Sequence, residues 1–388
     1  MLITLFMNIL PISAQKNYRV PYLKPHSFSD AELTQHMIEF YWQWKEHYLK
    51  KSRNGRQYYV FVDKGKKTVS EAIGYGMLIS VFMAPYDSLT RKYFDGLYAW
   101  YRAHPSKHNP VLMEWKQEFF PLSLRRFPSA SDGDMDVAFA LLLAANVWPA
   151  KASYYLHEAR KLLKEIFRDN VNHHLHIIKL GDWCKAGQAL YFNAMRTSDI
   201  MPDHFRVFGH FTGNAGWYDI MGNSYQILQQ IQWDFAPQTG LFPDFILEKQ
   251  GKFRPAYPYW LEGKYDGLFY FNACRVPWRI GVDYLLSGDP RDKKILKPFI
   301  RWLSNLDEKY YSNGYTLDGK PLTSSIDAVF LSGFCIAAMI SPENPDLIDK
   351  LYRKLIEQKI NHNDYYGNTL KMLTLIVISG IYRMPALP

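Results

Sequence analysis

Ser131-Asp132-Gly133-Asp134-Met135-Asp136 leads into Val137-Ala138-Phe139-Ala140-Leu141-Leu142-Leu143-Ala144-Ala145-Asn146-Val147-Trp148, and an amphipathic stretch over 153–168 follows. The apolar part carries no charge on any face, whereas 153–168 carries its charges on one. A helix that is apolar all round is buried, and a helix charged along one face lies at a surface. The two therefore read as an inner helix followed by an outer one.

Working outward in both directions, the same pair recurs. Nearly uncharged segments cover 74–84, 137–148, 198–208, 280–287, 328–340 and 369–381, the third being the most charged. Amphipathic segments cover 30–49, 88–103, 153–168, 217–233, 291–306 and 345–359. Strict alternation of six outer and six inner helices predicts an all-α double ring, an (α/α)6 barrel. The 388 residues are 48% apolar and 21% charged, the balance of a folded chain. No Pro/Ser-rich linker interrupts them, so 15–388 reads as one domain.

In such a ring every inner helix runs the same way, and the inner N-termini meet at one mouth. Polar clusters stand before each of them: Ser70-Glu71, Ser131-Asp132-Gly133-Asp134, Arg196-Thr197-Ser198-Asp199, Asn272 leading to Arg275, Ser324-Ser325-Asp327, and Tyr366-Gly367-Asn368. Helix capping accounts for any one of these. It accounts less well for a Glu beside Gly74-Tyr75-Gly76 or for two aspartates around Gly133. Together they predict an acidic, hydrogen-bonding cleft.

A cleft of that kind suits acetal hydrolysis, which needs one carboxyl group to protonate the leaving oxygen and another to act at the anomeric carbon. The proton donor must hold its proton near neutrality, which requires burial or a neighbouring negative charge. Glu71 enters an apolar helix and is the leading candidate, with Gly74 and Gly76 expected to leave space for substrate.

The stretch from Ala130 to Ala138, followed by Ala140-Leu141-Leu142, Ala144 and Trp148, closely resembles the signature of glycoside hydrolase family 8. Glu71 with Gly74-Tyr75-Gly76-Met77 resembles that family's general-acid motif. The likeness continues through Arg196-Thr197-Ser198-Asp199, Asn272-Ala273-Cys274-Arg275-Val276-Pro277-Trp278-Arg279 and Tyr365-Tyr366-Gly367-Asn368. It spans nearly the whole chain from about residue 30, with Val137 where the family usually has Ile or Met. The resemblance implies an (α/α)6 barrel, an inverting mechanism and no metal or other cofactor. It implies Glu71 as general acid and Asp132 as the carboxylate that holds the distorted ring at the cleavage point. An inverting pair stands roughly 6.5–9.5 Å apart to admit a water.

The general base is the open position. Many members carry Asp where this chain has Asn272, and an amide is no base. A second branch has Asn there and takes its base from an inserted loop, here 248–271. Glu262, in Tyr259-Trp260-Leu261-Glu262-Gly263, is the first choice, Asp266 the second, and Asp244 an outsider. Sugar faces stack on aromatic rings, so Trp115, Trp183, Trp217, Trp260 and Tyr270 are candidate subsites. Arg196, Asp199, Asn272 and Arg275 are candidates for binding hydroxyls or holding the carboxylates.

Other chemistries are poorly supported. The net charge of +9 is scattered and not blocked, which argues against nucleic acid as partner. Cys184, Cys274 and Cys335 are far apart, without the spacing of a zinc knuckle or a disulfide framework. Gly314 to Lys320 starts like a phosphate-binding loop but continues with Pro321. His173, His174 and His176 lack further spaced ligands and read as a solvent-facing turn. No segment reaches the ~18 apolar residues of a membrane span. Residues 1–14, mostly apolar and ending Pro11-Ile12-Ser13-Ala14, read as a signal peptide without its positive leading region. The expectation is a secreted or periplasmic, monomeric, endo-acting β-1,4-glucanase. Chitosan is the alternative substrate, and a non-catalytic glycan-binding barrel is the alternative of another class.

Overall fold

Helix α1 (Asp30–Tyr48) opens with a reciprocal cap, in which the Ser29 hydroxyl accepts from the Glu32 amide and the Glu32 carboxylate accepts from the Ser29 amide. It is the first of thirteen helices in the computed structural model, which describes residues 17–387 apart from 120–124 and 362. The expected signal peptide at 1–14 lies outside the described residues.

The inner ring is formed by α2 (Ser70–Phe82), α4 (Ser131–Val147), α7 (Pro202–Thr212), α9 (Val276–Ser287), α11 (Ala328–Met339) and α13 (Tyr365–Ile378). Each packs on the next, and α13 packs back on α2, so the ring closes. Outside it lie α1, α3 (Thr90–Ala103), α5 (Ala152–Asp169), α8 (Gly216–Phe235), α10 (Pro290–Ser304) and α12 (Pro345–Glu357). Each of these contacts a ring helix next to it in sequence, except α1, which packs on α13. A four-residue α6 (Ala189–Phe192) lies in the connection before α7. The chain is an all-α (α/α)6 barrel, and the alternation of buried and amphipathic helices has its cause in the two rings. No single helix among the described residues is long and apolar enough to cross a membrane.

Four of the inner helices, α2, α4, α9 and α13, start earlier than hydropathy places them, α11 starts at the expected residue, and α7 starts four residues later, at Pro202. Ser70 and Glu71 are the first residues of α2, and Ser131 and Asp132 the first of α4. No side-chain cap closes α2, α4, α7, α9 or α11; only α13 has one, from Asp364 to the Gly367 amide at 2.8 Å. The polar clusters at the mouth are thus mostly not caps.

Gly74 and Gly76 correct the expectation of space for substrate. A Cβ on Gly74 would stand 2.8 Å from Cβ of Asp136, and one on Gly76 would stand 2.8 Å from Val60. Both glycines make room for neighbouring protein. Asp134 faces away from the mouth and accepts from the Tyr101 hydroxyl at 2.6 Å and the Met113 amide at 3.2 Å. Asp136 lies inside the ring, gripped by Arg279 at 2.9 and 2.7 Å and by His204 at 3.0 Å.

Two small sheets dress the mouth. Strands β3 (Lys67–Val69) and β4 (Lys116–Glu118) pair antiparallel just before α2. Strands β7 (Ala194–Arg196), β8 (Phe245–Lys249) and β9 (Lys252–Pro255) form a three-stranded antiparallel sheet with Arg196 opposite Phe245. Two further short antiparallel pairs occur among the described residues: β1 (Leu49–Lys51) with β2 (Tyr58–Val60), and β5 (Val171–Asn172) with β6 (Ile177–Ile178). His173, His174 and His176 occupy the exposed β5–β6 turn. All three cysteines are free and buried.

Candidate active site

Gly133 brings the two leading carboxylates together. A Cβ there would lie 2.5 Å from the carbonyl carbon of Ser70 and 2.7 Å from the Glu71 nitrogen. Its absence lets the first turn of α4 lie directly on the first turn of α2, which sets Asp132 beside Glu71. Arg275, in the tight turn before α9, serves both: its Nη1 is 2.7 Å from Oε2 of Glu71 and 3.1 Å from Oδ2 of Asp132. The same nitrogen lies 3.3 Å from the Tyr75 hydroxyl, and the Tyr365 hydroxyl lies 3.4 Å from Oε1 of Glu71.

The environment divides the pair. Burial pushes the Glu71 carboxyl up to about 7 against the pull of Arg275, and the charge of Asp132 adds to the rise. Burial also acts on Asp132, but Arg196 and Arg275 outweigh it and hold that carboxyl below its ordinary value. One group therefore keeps a proton near neutrality while its neighbour is charged, the division that acid catalysis at an acetal requires.

Glu262 arrives from the far wall. Its Oε2 accepts from the Asn272 amide at 2.9 Å and its Oε1 from Arg196 Nη2 at 3.1 Å. The side chain is 49% exposed, against 17% for Glu71 and 5% for Asp132. Asn272 also accepts from Arg275 Nη2 at 3.2 Å. A hydrogen-bonded line thus runs Glu71–Arg275–Asn272–Glu262, with Asp132 held by Arg275 on one side and 3.5 Å from Arg196 on the other.

The rival carboxylates are occupied elsewhere. Asp266 accepts the amides of Leu261, Glu262 and Gly263 at 2.6, 3.0 and 2.8 Å, so it shapes the loop that presents Glu262. Asp244 accepts the amides of Tyr270, Asn272 and Ala273 and the side chain of Asn272, and burial pushes it up to about 7.

Several expected sugar contacts are displaced. Trp217 is fully buried among Phe167, Phe205 and Phe208. It begins α8 just after α7 ends, at the end of the barrel away from the inner N-termini. Trp260 is 4% exposed and packs with Phe245 and Tyr191, so its faces are covered by protein. Asp199 has no exposed surface; it lies 3.6 Å from Arg196 and supports that guanidinium instead of reaching a sugar. Arg275 is likewise buried between the carboxylates.

Three aromatics keep an open position. Trp115 is exposed, and its carbonyl accepts from the amide of Ser70, next to Glu71. Trp183 is half-buried beside Tyr191, and Tyr270, also half-buried, leads into Asn272. The hydroxyls of Tyr75 and Tyr365 reach the site unforeseen, although both stood at inner-helix starts where side chains converge.

The sequence model described as glycosyl hydrolases family 8 matches residues 19–380. A beta-glucanase of Niallia circulans is 36% identical over 374 residues, 95% of this chain and 90% of its own. An endoglucanase of Bacillus sp. (strain KSM-330) is 32% identical over 392 residues, covering 97% of this chain and 82% of its own. The apo structure of a beta-1,3-1,4-glucanase from Paenibacillus sp. X4 is similar with a TM-score of 0.89 at 34% identity, covering 95% of this chain and 97% of that one.

Proposed function

The chain belongs to glycoside hydrolase family 8, and from that premise we propose that it is an endo-acting, inverting enzyme cleaving β-1,4 linkages in glucan, mixed-linkage β-glucan foremost. The observation that carries this reading is the line from Glu71 through Arg275 and Asn272 to Glu262. It sets a proton-bearing carboxyl and a half-exposed carboxylate at the two ends of one line, with a guanidinium and an amide between them, the acid and the base that inversion through a water calls for.

In the proposed reaction Glu71 gives its proton to the glycosidic oxygen as the bond to the anomeric carbon breaks. Glu262 takes a proton from a water attacking that carbon from the opposite face, which inverts its configuration. Asp132, kept charged by its two arginines, stabilises the positive charge that develops on the ring and holds it distorted. Arg196 couples Asp132 to Glu262, so both carboxylates are oriented by one rigid fork.

The substrate preference is supported by the names of the relatives, a beta-glucanase, an endoglucanase and a beta-1,3-1,4-glucanase, and by charge. Chitosan is a polycation below its amine pKa, and a chain of net charge +9 repels it at long range. Release of reducing ends, measured side by side on mixed-linkage glucan, carboxymethyl cellulose, xylan and chitosan, tests this. Release from the glucans with the α-anomer appearing first is the expected result. Release from chitosan alone replaces the substrate, and release from none favours a non-catalytic glycan binder. We further propose export directed by residues 1–14, which intact-mass analysis showing those residues retained on exported protein would reject.

A further inference from the structure

The loop that presents Glu262 also holds an aromatic residue in a conformation that aromatic residues avoid. Tyr259 has φ +62°, in the left-handed region where a Cβ crowds the following carbonyl. The residue is 73% exposed and belongs to neither hydrophobic cluster of the described residues. A glycine would take this backbone conformation without penalty, and an asparagine with little. The fold therefore gains nothing from a tyrosine here.

The rest of the turn is tied down. The Tyr259 amide donates to the Gly263 carbonyl at 2.8 Å, closing a five-residue loop that contains Glu262. Trp260, the next residue, is the loop's buried peg, and Asp266 grips three successive amides beyond it. With Trp260 committed inward, the left-handed turn at Tyr259 throws its ring outward. Backbone strain of this kind concentrates at ligand clamps and active sites, where surrounding structure over-determines it.

We propose that Tyr259 is a glycan-binding platform: a subsite at the rim of the cleft that stacks on the apolar face of one pyranose unit, placed by the same rigid turn that places Glu262. This rests on the reading of that loop as part of a glycan-hydrolase cleft. A ring face of this type suits a neutral pyranose, whose axial C–H groups offer an apolar face.

The test compares wild type with Tyr259→Gly, Tyr259→Asn, Tyr259→Trp and, as a control far from the loop, Tyr154→Ala on α5. Each is measured for thermal midpoint and for kcat and KM on mixed-linkage glucan. Tyr259→Gly is expected to melt at or above the wild-type temperature while its KM rises about 2- to 10-fold with kcat little changed. Tyr259→Asn should follow it, and Tyr259→Trp and Tyr154→Ala should keep the wild-type KM. An unchanged KM in Tyr259→Gly overturns the proposal. So does a fall in kcat alone, which would show that the turn matters and the ring does not. If wild type cuts no glucan, the substrate reading has failed separately. The same variants, each in a Glu71→Gln background, are then compared by gel retardation on glucan, xylan and chitosan. Unequal retardation of Tyr259→Gly and Tyr259→Trp sustains the platform, and equal retardation overturns it.

Discussion

The side-chain amide of Asn272 donates to Oε2 of Glu262 at 2.9 Å. An amide cannot take a proton from water, but it can hold a carboxylate that does, and it does so without adding charge. Its other contacts explain why it suits the position: the same nitrogen lies 3.2 Å from Asp244, and its oxygen accepts from Arg275.

Replacing Asn272 by Asp would set a third carboxylate between Glu262 and Asp244. Like charges that close cannot all ionise, so one is forced to keep a proton. The acid limb of the kcat–pH profile should move to higher pH, with kcat at pH 6 falling by about tenfold or more. An unmoved limb and full activity would remove Glu262 from the role of base.

Glu71→Gln should lower kcat by about 10²- to 10⁴-fold while glucan binding, measured by gel retardation, persists. In wild type the alkaline limb should fall as Glu71 deprotonates around 7. Its folded value is raised above the unfolded one. The stability it contributes is thus fully present below about 4.5 and lost as pH rises through about 7. The Gln variant should therefore gain in melting temperature relative to wild type between pH 5 and pH 8, read by calorimetry at both.

The fold was legible in the sequence because an inner helix of a double ring has no face on which to carry charge, and the runs 137–148 and 328–340 carry none. The helix starts were not, because Ser70 and Ser131 have the residue types of caps but occupy first turns. Glu71 could be singled out from residue type and position, and Asp132 and Glu262 from the resemblance to the family's motifs. Their arrangement depends on contacts distant in sequence: Gly133 against Ser70, Arg275 against Glu71, and Asp266 against the amides of its own loop. The same distance in sequence hid the burial of Trp217 and Trp260, whose surroundings come from Phe167, Phe205 and Tyr191.

Gly133→Ala tests the contact that pairs the carboxylates. The added methyl would collide with the backbone of Ser70 and Glu71, which has no side-chain freedom with which to yield. Overpacking of this kind costs about 1–3 kcal/mol. Urea unfolding should show a loss in that range, and kcat should fall further than stability alone explains because Glu71 and Asp132 are forced apart. Wild-type stability would show that the two turns are not in contact.

Arg279→Met should be among the most destabilising single changes in the barrel. Asp136 is fully buried and held down to about 2, its burial outweighed by Arg279 and His204. Removing the guanidinium leaves a buried carboxylate with one histidine, a defect that costs about 3–5 kcal/mol. Pairing the change with Asp136→Leu should recover much of that loss in urea unfolding, whereas equal losses in the single and double variants would count against the ion pair.

Asp199 separates two views of the cleft wall. Its carboxylate oxygens accept no hydrogen bond among the described residues, and Arg196 lies 3.6 Å away. Burial pushes the group up to about 7 despite that arginine. A raised folded value means its stabilising share is complete below about 3.8 and lost as pH climbs through about 7. Asp199→Asn removes the titration, so the variant should gain on wild type in melting temperature from pH 5 to pH 8. It also puts an amide in place of the carboxyl beneath Arg196 and leaves that guanidinium to Asp132 and Glu262, so kcat/KM should fall by less than about tenfold. If the variant instead lost ground towards pH 8, Asp199 would be an ionised partner of Arg196 in the native state, and the wall would rest on an ion pair and not on a buried acid.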